Sequence, residues 1–139
     1  MLVWNEQFAT GHKTLDKQHQ VLFENVNRLE SLLDQTNLNR QETEFILSLV
    51  NYLESYAQDH FKLEEQCMES FRCPAHQKNM DFHRQFLAAV VDYKKKFQAS
   101  GFRAKVMREL HQFMQNWLQQ HIMRIDVQLK PCILASQQT

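Results

Sequence analysis

Glycine and proline are almost absent, with two of each in 139 residues. A turn-rich β protein needs more of both, so their scarcity argues against that class and for long helices with few breaks. Neither sign of charge is in excess: 16 basic and 16 acidic side chains cancel. That balance gives no electrostatic reason to expect a nucleic-acid or membrane partner. No apolar run approaches the roughly 18 residues of a membrane span. No signal peptide precedes the polar segment from Trp4 to Asp16, and the expected location is cytoplasmic. The three cysteines, Cys67, Cys73 and Cys132, are an odd number without metal-type spacing, which fits a reducing compartment.

What the chain does have is four apolar stripes at helical spacing. The first, Leu15, His19, Leu22, Val26, Leu29 and Leu33, predicts a helix over residues 16–35, after an irregular arm that carries Trp4, Phe8 and Gly11. A polar turn, Thr36 to Asn39, leads to a long helix from Arg40 to Ser70 with the stripe Phe45, Leu49, Leu53 and Tyr56. Pro74 ends it, and a third helix follows to about Ala99, with Asn79, His83, Phe86, Leu87, Val90, Tyr93 and Phe97 inward. After Ser100-Gly101 a fourth helix is expected over residues 102–129, with Val106, Leu110, Phe113, Trp117, His121 and Ile125 inward and Pro131 as its stop. The fold expected is all-α, an up-down-up-down four-helix bundle with an N-terminal arm over residues 1–130. Residues 131–139 read as a frayed tail or the start of a linker.

The long helix carries the first chemical signal. His60 and Glu64 continue its apolar stripe, four residues apart and therefore on one face. Polar groups on a core-facing stripe need partners, and imidazole with carboxylate suits iron or zinc. Every helix has one such histidine: His19, His60, His83 and His121. His19 and His83 come early in their helices, His60 and His121 late. Antiparallel packing therefore brings all four, with Glu64, to one end of the bundle. Of the remaining histidines, His12 in the arm and His111 off the stripe are expected in solvent. Cys67 takes the stripe position after Glu64 and is expected as a buried, inert thiol, with Cys73 and Cys132 exposed or half-buried near helix ends.

With these residues in place, the chain resembles the hemerythrins, in particular the single-domain bacterial members, from Trp4 to Leu129. The motifs that carry the likeness are Leu15-Asp16-Lys17-Gln18-His19, His60-Phe61 with Glu64-Glu65 and Met68, His83 with Phe86, and Trp117 to Ile122 with Asp126. The resemblance implies two non-haem iron ions, oxo- or hydroxo-bridged when oxidised. His19 and His60 would hold one and His83 and His121 the other, with Glu64 and Asp126 bridging. Asp126 is implied by the resemblance alone. It stands five residues, or about 140°, from His121 on an ideal helix, so a local π-type distortion is expected if it bridges. The binding partners implied are dioxygen or small anions, with an attached or separate signalling output domain. An apolar pocket of Leu22, Phe23, Phe61, Phe86 and Trp117 would limit water access.

One position departs from the family pattern. Four residues before His83, where a further histidine is usual, stands Asn79; His76 lies seven before, about 10 Å away along the axis. A water or small exogenous ligand beside Asn79 is the outcome favoured, over weak binding by the Asn79 amide or a poorly held second iron. Such a position would speed autoxidation, which favours an oxygen- or redox-sensing domain over a durable oxygen carrier or store. A di-iron enzyme handling peroxide or nitric oxide, and a metal-depleted scaffold, are the other classes considered. Catalysis is not the expected role.

Overall fold

The computed structural model describes residues 1–35 and 38–137. Among these, regular structure is entirely helical. A short 3-10 turn, Glu6–Phe8, precedes α1 (Lys13–Leu33), α2 (Arg40–Ser70), α3 (His76–Ser100) and α4 (Ala104–Arg124). A second 3-10 turn, Asp126–Gln128, leads into α5 (Leu129–Gln137). α1 packs against α2 and α4, and α3 against α2 and α4, which closes the four long helices into a bundle. The first half of the turn expected at Thr36 to Asn39 lies outside the described residues.

Local chemistry sets most of the helix ends. Helix α1 starts three residues earlier than the stripe suggested, because His12 caps it: its Nδ1 accepts from the Leu15 N–H at 3.3 Å. Asp16 is then free to tie down the arm, accepting from both the N–H and the hydroxyl of Thr10 at 2.8 Å. Gly11 turns the chain between them at φ +86, a backbone region that L side chains rarely adopt. Asn39 caps α2 through the Glu42 N–H at 2.8 Å. At its other end α2 stops on Arg72 at φ 52. The Cys73 N–H returns to the Met68 carbonyl and the Arg72 N–H to that of Glu69, a helix stop usually built on glycine.

The core fills the bundle along its length, with Val26, Leu29, Ile46, Val50, Met107, Leu110 and Met114 almost wholly enclosed. Several sequence expectations are corrected here. Phe45 is exposed and lies under the Arg28 guanidinium, while the next residue, Ile46, takes the buried position. Tyr56 is only half-buried, beside Tyr52, and Ala57 fills the core. His111 is buried between α4 and Glu30, since the broad inward face of α4 includes it along with Met107, Met114 and Leu118. His12, half-buried as a cap, is not simply solvated.

At the other end a second cluster gathers Leu15, Met68, Cys73, Ile125, Leu129 and Ile133. Met68 holds the enclosed site expected for Cys67, whose half-buried sulfur lies 3.7 Å from His12 Nε2. Cys73 is buried, drawn in by the α2 stop. The fourth helix ends at Arg124, and the chain continues as α5 through Pro131. Proline there removes no helical bond, because the third residue of a helix has no intrahelical acceptor for its nitrogen. Burial of Leu129 and Ile133 holds α5 against the bundle.

Candidate metal centre

The four inward histidines do meet, around two carboxylates. Glu64 turns Oε2 to His19 Nε2 at 3.1 Å and His60 Nε2 at 3.3 Å, and Oε1 to His83 Nε2 at 3.1 Å. Asp126 turns Oδ2 to His19 Nε2 at 3.2 Å and Oδ1 to His121 Nε2 at 3.0 Å. Each carboxylate therefore has one oxygen toward each histidine pair. Two overlapping groups result, one of His19, His60 and Glu64, the other of Glu64, His83, His121 and Asp126, with donor atoms within 4.8 Å of one another in each. All six residues are buried.

The break after α4 accounts for Asp126. Ile125 leaves helical geometry at φ -113, ψ -57, and the following 3-10 turn carries the carboxylate back beneath His121. No π-type bulge forms there. The helix ends instead, and that end solves the angular problem posed by a spacing of five.

Outer groups orient the rings. Gln18 Oε1 lies 2.7 Å from His60 Nδ1, and Glu65 Oε2 lies 2.9 Å from His83 Nδ1. Both oxygens only accept, so each Nδ1 carries a proton and each Nε2 is turned inward. Sequence reasoning assigned no role to Gln18 or Glu65. The available signal was their position, each directly beside a member of the cluster and capable of accepting a hydrogen bond. Aromatic rings sheathe the other faces. Phe61 stacks on His83 with centroids 3.8 Å apart, Trp117 stacks on His121 at 4.3 Å, and Trp4 lies 6.4 Å from His19. Leu22, Phe23 and Phe86 are buried as expected. A cavity of about 140 Å³, lined by Phe82, Trp117, Gln120, Arg124 and Ile125, reaches His121 from outside.

Asn79 is fully buried in the same cluster. Its amide donates to Glu64 Oε1 at 3.1 Å and to Met68 Sδ at 3.3 Å, and its Oδ1 lies 2.7 Å from His121 Nε2. His76 begins α3 on the outer face with Lys62 and Glu69, apart from the cluster.

The donor set fits a cation. His121 Nε2 and His83 Nε2 stand 3.2 Å apart, and Asp126 Oδ1, although 3.0 Å from His121, has no hydrogen bond of acceptable direction. Lone pairs thus converge without enough protons to pair them, an arrangement a positive ion between them would resolve. Taken as protein groups alone, they share protons unequally. Burial disfavours the charged His19 imidazole, but hydrogen bonds and charge from Asp126 and Glu64 outweigh it and raise its pKa to about 10. Burial prevails at His60, whose pKa is lowered, helped by the charge on His19. At His83 burial is again opposed, and Glu64, Asp126 and Glu65 together raise the value. Burial would raise Glu64, but His60, His19 and His83 hold it well below the usual carboxylate range.

A buried cluster of four imidazoles and two shared carboxylates within a four-helix bundle defines a cation-binding helical protein. The family model described as "Hemerythrin HHE cation binding domain" matches residues 10–133, and the chain belongs to the hemerythrin family. It is 28% identical to a bacteriohemerythrin of Stenotrophomonas maltophilia over 88% of this chain and 74% of that one. It is 29% identical to the bacteriohemerythrin of Methylococcus capsulatus over 97% of this chain and 98% of that one. Similarity extends to a hemerythrin of Sipunculus nudus, 29% identical over 92% of this chain and 90% of that one.

Proposed function

We propose that this protein binds dioxygen at a pair of non-haem iron ions and acts as an oxygen- or redox-sensing domain. The observation that carries the pairing is the division of each carboxylate between two histidine pairs: Glu64 and Asp126 each offer one oxygen to either side. His19 and His60 would hold one ion, His83 and His121 the other, with Glu64 and Asp126 shared. Two ferrous ions held there would supply the electrons that reversible dioxygen binding requires. The protein supplies an aromatic-walled site and rings fixed by Gln18 and Glu65.

Asn79 inclines the reading toward sensing. Its NH₂ group is occupied by Glu64 and Met68, which keeps Oδ1 turned to His121 Nε2. If His121 Nε2 held an ion it would give up its proton, which would leave Asn79 Oδ1 as a free acceptor beside the site. An amide there in place of a further imidazole would leave the site easier to oxidise, and oxidation can itself serve as the signal.

Iron content per chain, with visible spectra recorded anaerobically and in air, tests this. Two irons and an absorption that appears in air, fades when oxygen is removed, and decays within repeated cycles support it. A reversible absorption that survives many cycles would indicate a carrier. One iron or none would overturn the paired site.

A further inference from the structure

Two thiols meet at the end of the bundle outside the metal cluster. Cys73 lies in the turn between α2 and α3 and is buried; Cys132 lies in the first part of α5 and is half-buried. Both are free, and both sulfurs approach the same acceptor, the main-chain oxygen of Gln128, at 3.4 Å. Their separation therefore cannot exceed twice that distance. The two positions are set independently. The left-handed stop at Arg72 delivers Cys73, and the buried Leu129 and Ile133 seat the helix that delivers Cys132.

The pair is reachable. Both cysteines line a cavity of about 580 Å³, together with Phe71, Arg72, Gln128 and Pro131.

We propose that Cys73 and Cys132 are a redox-active dithiol that exchanges with small disulfides and, when oxidised, ties α5 to the turn between α2 and α3. The thiolate of one member attacks one sulfur of the small disulfide. The S–S bond of that disulfide breaks, one half leaves as a thiolate, and the other half joins that cysteine. The sulfur of the second member then displaces the attached half and closes the intramolecular bond. The two cysteine thiols are oxidised, the small disulfide is reduced to two thiols, and the two protons pass to those products. Burial and the neighbouring Cys73 push the Cys132 thiol up to about 11. The inference stands apart from the iron reading, since none of the groups involved belongs to the cluster.

The test is equilibration of the full chain, without air, in graded mixtures of reduced and oxidised glutathione, followed by alkylation, intact mass and peptide mapping. The expected product is lighter by two hydrogens before alkylation, alkylated only at Cys67, and contains a Cys73–Cys132 cross-linked peptide that reductant removes. Cys132→Ser should abolish it and Cys67→Ser should leave it unchanged. Three alkylated cysteines at the most oxidising mixture would overturn the proposal. A lasting glutathione adduct on either member, or a bridge involving Cys67 or a second chain, would do the same.

Discussion

His121 Nε2 and Asn79 Oδ1 lie 2.7 Å apart, with the ring nitrogen as donor. A nitrogen cannot donate a proton to Asn79 and hold a cation with the same lone pair. The two roles exclude each other, so a metal held by His121 would have to displace the contact with Asn79.

Asn79→His removes that contact and adds an imidazole at the spacing of four from His83. Loss of iron to a chelator should slow by about tenfold or more, and the oxidation of the ferrous protein in air should slow with it. Stopped-flow absorbance and chelator competition measure the two. An unchanged oxidation rate would refute the role given to Asn79.

Gln18→Leu and Glu65→Leu each remove an acceptor from a ring Nδ1. Metal affinity should fall by about 10- to 100-fold in each. Helical circular dichroism should be unchanged, since both side chains are partly exposed.

Proton release should accompany metal loading. His19 carries a proton up to about pH 10 in the protein groups alone, and a cation on Nε2 must expel it. Affinity should therefore rise with pH, and calorimetry in buffers of different ionisation enthalpy should detect the proton at pH 8. The sign for the chelated protein is the reverse. A raised histidine pKa contributes stability that is full below the ordinary value of 6.5 and is lost as pH rises toward 10. Glu64, held below 4.5, contributes stability above that value which acid removes. Melting of chelated protein should thus be highest between these limits and decline on the alkaline side, where the loaded protein does not.

Arg72→Gly relieves a left-handed backbone at φ 52. The gain is offset by the freedom glycine has when unfolded, and urea titration should show a net stabilisation of up to about 1 kcal/mol.

Leu29→Ala opens a hole in the core, where Leu29 is fully enclosed. It should cost about 2–5 kcal/mol while leaving the stoichiometry of bound metal unchanged.

The bundle and the convergence of His19, His60, Glu64, His83 and His121 were legible because a helix repeats its faces at regular intervals. One imidazole on each apolar stripe, read with the direction of each helix, is enough to bring them together. The same regularity misplaced what departs from it. Phe45 and Ile46 differ by one position on a broad face, and packing chose the branched residue. Asp126 is invisible to periodicity because the helix ends before it, and only likeness to a family brought it forward. Pro131 reads as a stop, yet it stands where a helix begins. Gln18 and Glu65 act sideways, through Nδ1 atoms on other helices, and spacing within one helix does not carry that information.

The chain has two tryptophans, and they sit on opposite sides of the cluster, Trp4 near His19 and Trp117 stacked on His121. Each side thus has its own fluorophore within quenching range of an ion. An ion held in the cluster would dim both, so arrival and loss of metal can be followed by light, in real time. Trp4→Phe or Trp117→Phe leaves a single emitter that reads the same event from one side.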